Sequence, residues 1–214
     1  MTSPSAHKPA GKIQPRAIGL FGGTFDPIHV GHLVAAVNAR HALDLDTVLL
    51  VVANVPWQKV GERTISDADD RLAMVEAAAA SAEGVEASAI EIRRGGSSYT
   101  ADTLADLHRE DPEAELFVIV GADVVGGRDT WERVDEVRTG STLVVVNRPG
   151  SDASPMFGAL REAGWRVHAI EVPALEISST DLRERARTGR PLDYLVPEGA
   201  IAVIRDRDLY ALGR

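Results

Sequence analysis

The sequence predicts an α/β fold, a doubly wound and mostly parallel sheet with helices on both faces and a small helical C-terminal part. Three observations carry this. Short β-branched runs alternate with longer helical stretches from Ala17 onward. The runs Thr47 to Val52, Leu116 to Val120 and Thr142 to Val146 are almost wholly apolar, as strands covered on both faces are. Polar or glycine-bearing stretches recur just after the runs, at 22–32, 54–61, 93–100, 121–131, 147–148 and 178–183. In such a sheet, ligands lie beyond the carboxyl ends of the strands, near the switch in strand order.

The elements follow in order. A strand over 17–21 ends at Gly22 and Gly23, read as a tight turn, and a helix runs from about 30 to 43. Thr47 to Val52 is the second strand, followed by a loop over 54–61 that is longer than a connection needs. Ser66 can cap a helix over 67–81, whose first turn is rich in aspartate, as the helix dipole prefers. A strand near 85–92 precedes Arg93 to Thr100, where Ser98 or Thr100 caps a helix to about 109. Strand 116–120 leads to Gly121 and Asp123, and Trp131 falls in an acidic helical stretch. Strand 142–146, a short helix over 155–163 and strand 167–172 follow. Ser178 opens a helix to about 188, residues 192–196 are read as extended, and Pro197 opens a final helix to about 206. There is no internal repeat. One domain over 16–214 is expected, after a disordered leader at 1–15 rich in Pro, Ser, Ala and Lys.

At 214 residues the chain is long enough for a real core. A net charge of −9 argues against broad nucleic-acid or anionic-membrane binding, so an anionic ligand must be held by local positive groups. Cysteine is absent, which removes a disulfide framework, a thiolate nucleophile and a cysteine zinc site. No apolar run is long enough to span a bilayer or act as a signal sequence, so a cytoplasmic protein is expected. Oligomeric state is not legible, and a homo-oligomer stays open.

The stretch from Ile18 to His32 organises the rest. After the strand, Gly22 and Gly23 leave backbone amides uncovered, and Thr24 and Phe25 lead towards His29 and His32, spaced i and i+3 at a helix start. A helix N-terminus carries unpaired N–H groups and positive potential. Together with two imidazole donors it describes a polyphosphate site. A paired-histidine metal site would lack a placed third ligand, so no protein-bound metal is expected. Ser178, Ser179 and Thr180 at a second helix start, with Arg183 one turn on, form another phosphate candidate. Lys59 stands in the long loop as a candidate cation. His7, His41, His108 and His168 read as tail or ordinary surface histidines.

The string from Gly23 to His32 resembles the Gly-Thr-Phe-Asp-Pro-x-His-x-Gly-His signature of the nucleotidylyltransferase superfamily, with every position filled. Ile177 to Arg183 resembles its second motif, Ile-Ser-Ser-Thr-x-(Ile/Leu)-Arg. Three further stretches are similar to those of bacterial nicotinate-nucleotide adenylyltransferases. They are Ser98 to Leu104, then Gly121 and Asp123 with the downstream Trp131, and finally Tyr194 to Pro197. The resemblance covers nearly all of the chain beyond the leader. It departs at Trp57 and Gln58, where the family usually has Pro and His before the lysine.

The resemblance implies a Rossmann-like fold and adenylyl transfer from ATP to nicotinate mononucleotide, giving deamido-NAD and pyrophosphate. Gly22, Gly23, Thr24, Phe25, His29, His32, Gly121, Asp123, Ser178, Ser179, Thr180 and Arg183 would hold ATP. Thr24, Lys59, Thr100, Trp131 and Arg148 would meet the mononucleotide, with Trp131 stacked on the pyridine ring. His29, His32, Lys59 and Arg183 would stabilise the transferring phosphates, and Mg²⁺ would arrive on the ATP phosphates. Asp26 reads as a brace for the turn. Phosphopantetheine adenylyl transfer and a non-catalytic nucleotide-binding module are the alternatives. Acid versus amide preference is not legible.

Overall fold

The structure is a computed structural model, and it describes residues 15–56, 65–125, 131–147 and 154–210. The expected leader (up to residue 14), Lys59 with Trp57 and Gln58, and Arg148 lie outside the described residues. Six strands form one sheet: β1 (Ala17–Gly23), β2 (Thr47–Val52), β3 (Val85–Ser88), β4 (Glu115–Gly121), β5 (Thr142–Asn147) and β6 (Val167–Glu171). The order is β3-β2-β1-β4-β5-β6 and every pairing is parallel. This is the doubly wound, Rossmann-like order, with its switch between β1 and β4.

Side chains alternate along each strand and so feed two cores. Val48, Leu50 and Val52 of β2 face one layer, with Val144 and Val146 of β5. That layer holds α1 (Val30–Ala42), α2 (Ala68–Ala79), α8 (Ser179–Arg187) and α9 (Glu198–Asp206). Ile18 and Leu20 of β1, Leu116 and Val118 of β4, and Leu143 and Val145 of β5 face the other. There lie α3 (Ile90–Arg94), α4 (Thr100–Glu110), α5 (Ala122–Val125), α6 (Val134–Gly140) and α7 (Ser154–Glu162). The face that α1 buries is Ala35, Ala36 and Ala39, small side chains that let this helix lie close to the sheet. Gly19 needs its small size too. A Cβ there would come within 2.9 Å of Val48 and 3.0 Å of Leu45 and Ile119.

Four local expectations are corrected. Gly22 and Gly23 are not the turn; they are the last two residues of β1 and lie opposite Val51 and Val52. The chain turns two residues later, at Phe25, which has φ 49°. The run 85–92 is not one strand, because pairing with β2 ends at Ser88 and Ile90 starts α3. Trp131 sits in a turn before α6, not within a helix. Residues 192–196 are a turn, in which the Leu192 carbonyl accepts from the amides of Leu195 and Val196, and Tyr194 has φ 62°. Two caps shift by one residue: Asp67 rather than Ser66 precedes α2, and Tyr99 precedes α4. Ser178 caps α8 as expected, its hydroxyl accepting from the Asp181 amide at 3.1 Å.

Candidate active site

Two clefts open at the carboxyl ends of the strands and share the wall formed by Gly22, Gly23, Thr24 and Val124. The first, about 630 Å³, lies between the starts of α1 and α8. It brings together Thr24, Phe25, His29, His32, Gly121, Ser178, Ser179, Thr180 and Arg183, all expected from the sequence to meet ATP. Two helix N-termini therefore bound one cavity, and their positive ends suit a polyanion despite the chain's net charge of −9.

His29 is the N-cap of α1 and His32 its third residue. Their rings stack 3.7 Å apart, and the edge of the His32 ring meets the buried Phe25 ring at 5.0 Å. The amide of His29 donates to Nδ1 of His32 at 3.2 Å. A neutral imidazole accepting at Nδ1 carries its proton on Nε2. Backbone geometry thus makes Nε2 of His32 a donor. Gly31 leaves the His29 ring its place, since a Cβ there would lie 3.0 Å from Nδ1 of His29 and press on the ring. Gly22 is different. A Cβ added there would meet nothing within 4 Å, so the glycine keeps space open at the wall common to both clefts. Gly22→Val should leave the melting temperature almost unchanged, because valine suits a strand, while lowering kcat/KM for the nucleotide at least about tenfold. A calorimetric scan beside steady-state kinetics checks this, and full activity would show that the space is not used by ligand.

The second motif grips the first loop. Nη1 of Arg183 donates to the Asp26 carbonyl at 2.7 Å, its Nη2 to Oγ1 of Thr180 at 3.1 Å, and the Ser179 hydroxyl to the Pro27 carbonyl at 2.9 Å. The Asp26 carboxylate accepts from the Tyr210 hydroxyl at 2.7 Å, beyond the expected backbone bracing. Burial and the neighbouring Asp26 push the Tyr210 phenol well above its usual range, so it stays protonated and donating.

The second cleft, about 400 Å³, is lined by Ser98, Tyr99, Thr100, Glu91, Trp131 and Pro56 among others. Thr100 is the first residue of α4. Trp131 packs against buried Trp165 with the two indoles at 85° and their centroids 6.4 Å apart, a contact that favours one orientation of its ring. Gly121 ends β4, and Asp123 lies in α5 with its side chain outside the described atoms. Among the described residues, no three His, Cys, Asp or Glu side chains gather into a metal cage. No helix of those residues is long and apolar enough to cross a membrane.

Sequence reasoning missed three contributors. Arg71, 1% exposed, donates Nε to the Ser66 carbonyl at 2.8 Å, Nη1 to that of Thr24 at 2.9 Å and Nη2 to that of Asn54 at 3.1 Å. It pins the loop after β1, the end of β2 and the approach to α2. Its signal was present: Arg71, Met74, Val75 and Ala78 fall at i, i+3, i+4 and i+7, one buried stripe carrying a charge. Glu91, between two isoleucines, and Tyr210, beyond the last helix, carried no comparable pattern.

Residues 20–185 match the cytidylyltransferase-like family. Among curated relatives, one from Corynebacterium kroppenstedtii is 47% identical over 193 residues, covering 90% of each chain. Another, from Mycolicibacterium vanbaalenii, is 44% identical over 204 residues, covering 94% of this chain and 95% of the relative. Both bear the description "Probable nicotinate-nucleotide adenylyltransferase". The chain belongs to this family. Among solved structures, the Plasmodium falciparum nicotinic acid mononucleotide adenylyltransferase complexed with NaAD superposes with a TM-score of 0.72, covering 91% of this chain and 97% of that one. At 15% identity that likeness shows the fold. Both clefts lie at the switch point between β1 and β4.

Proposed function

We propose that this protein transfers the adenylyl group of ATP to nicotinate mononucleotide, forming deamido-NAD and releasing pyrophosphate, a step of NAD biosynthesis in the cytoplasm. The observation that carries the reading is the pair of clefts sharing Gly22, Gly23 and Thr24. One is walled by donors and helix N-termini, the other by an oriented indole and a helix start. Curated relatives of nearly full length bear the same activity in their description.

ATP enters the first cleft, and Mg²⁺ arriving with the triphosphate would offset its negative charge there. Amides at the starts of α1 and α8, Thr180 and the Arg183 guanidinium take the triphosphate. His29 and His32, the latter through Nε2–H, face the charge that grows on departing pyrophosphate. Gly121 and Asp123 would meet the adenosine ribose. The mononucleotide occupies the second cleft, its ring on Trp131 and its ring carboxylate near Thr100. Arg148 and Lys59 supply cations for the phosphates of the two substrates. A phosphate oxygen of the mononucleotide attacks the α-phosphorus, the bond from that phosphorus to the bridging oxygen breaks, and the electron pair leaves with pyrophosphate. The attacking phosphate is already ionised, so catalysis is positioning and charge stabilisation. Mixing the protein with ATP, Mg²⁺ and nicotinate mononucleotide should yield pyrophosphate and dinucleotide in equal amounts. Binding of ATP without either product would reduce the protein to a nucleotide-binding module.

A further inference from the structure

The wall of the second cleft contains a charged side chain with no part in the chemistry above. Glu91, on α3, is 7% exposed and lines the cleft with Ser98, Thr100 and Trp131. Its carboxylate collects two hydroxyl donors from the segment that forms the cleft. The Thr103 hydroxyl donates to Oε1 at 2.7 Å, and the Ser98 side chain is hydrogen-bonded to the same carboxylate. Each hydroxyl is itself tied elsewhere. The Ser98 oxygen accepts from the Asn54 amide at 2.8 Å, at the end of β2. The Thr103 oxygen accepts from Arg94 at 3.2 Å, whose Nη1 also donates to Asp106 at 2.8 Å. A chain of hydrogen bonds thus runs from β2 through Ser98 to Glu91 and on to α4, with Thr100 held between its two anchors.

We propose that Glu91 is a positioning residue for the mononucleotide: by accepting from Ser98 and Thr103 together, it fixes the first turn of α4, and so the place of Thr100 in the cleft it shares with Trp131. The inference rests on the function proposed above and deepens it. Burying a carboxylate is unfavourable, and two hydroxyl donors together with the Arg94 guanidinium, whose Nη2 lies 3.9 Å from Oε1, offset that cost. Burial pushes the Glu91 carboxyl above its usual range, against the hydroxyls of Ser98 and Thr103 and the Arg94 guanidinium, while Asp102 on α4 raises it further. Asp106 and Arg133 face the network indirectly, through Arg94 and Asp102 respectively.

Glu91→Gln is the test, because the amide keeps the shape but presents a donor where one hydroxyl needs an acceptor. With ATP and nicotinate mononucleotide varied separately, KM for the mononucleotide should rise about tenfold while KM for ATP stays within about twofold, the size expected for one misdirected buried hydrogen bond. Wild type should also lose mononucleotide kcat/KM on the acid side at a pH above the ordinary glutamate range. The variant should lack that loss, leaving only the substrate's own titration common to both. Parallel rises in both KM values, or no change in either, would overturn the role. If the glutamine variant melts at room temperature, Thr103→Val removes one donor with little change of shape and is expected to give the same split. Equal effects on both substrates would again overturn it. A wild type silent towards nicotinate mononucleotide overturns the function and this role together, whereas an active wild type with an unsplit variant overturns only the role of Glu91.

Discussion

His32→Ala is expected to lower turnover about a hundredfold or more while the protein stays folded, the loss typical of removing one donor from a developing anion. The reasoning begins with the backbone. Because the His29 amide donates to Nδ1 of His32, the ring has one remaining N–H, on Nε2, and the side chain lines the cleft between two helix starts. Interactions that strengthen only as charge moves on to pyrophosphate appear in kcat rather than in KM. His32→Gln separates the role of the donor from that of the ring: glutamine can donate but cannot stack on His29 at 3.7 Å. Single-turnover kinetics at saturating ATP give the measurement. An unchanged rate in the alanine variant would remove His32 from the chemistry.

Arg71→Met should be the most destabilising single change considered, costing about 3 kcal/mol or more, because it strips a donor from three loop carbonyls at once. The carbonyls of Ser66, Thr24 and Asn54 all turn towards this guanidinium, which is 1% exposed. Methionine fills part of the volume and donates nothing. Arg71→Lys should recover only part of the loss, since one ammonium cannot reproduce the fan of a guanidinium over three acceptors. Urea unfolding of both variants measures this. A methionine variant as stable as wild type would mean that the three loops hold themselves.

The order of elements was legible because it is written in local patterns. β-branched runs mark β2, β4 and β5, Ser178 announces its helix, and the two histidines mark theirs. What was misread depends on partners distant in sequence. Gly22 and Gly23 look like a turn by themselves, yet parallel pairing with Val51 and Val52 carries β1 through them, and Phe25 makes the turn instead. Ile90 to Ile92 fits strand or helix, and only the end of pairing at Ser88 decides for α3. The first cleft was largely legible because its donors lie in two compact motifs. Its bracing was not. Arg71, Glu91 and Tyr210 act on carbonyls, hydroxyls and a carboxylate supplied by other elements, and no spacing along the chain records such encounters. The Ser179 hydroxyl donates to the Pro27 carbonyl, a tie between the two motifs that no spacing along the chain records.

The most direct measurement of the central claim is pyrophosphate release with ATP and Mg²⁺, offering nicotinate mononucleotide, nicotinamide mononucleotide and phosphopantetheine in parallel. The two clefts and the oriented Trp131 predict rapid release with the nicotinate form and little with phosphopantetheine. Equal or faster release with phosphopantetheine would contradict the assignment of the second cleft to a pyridine ring, and silence with all three would contradict catalysis itself.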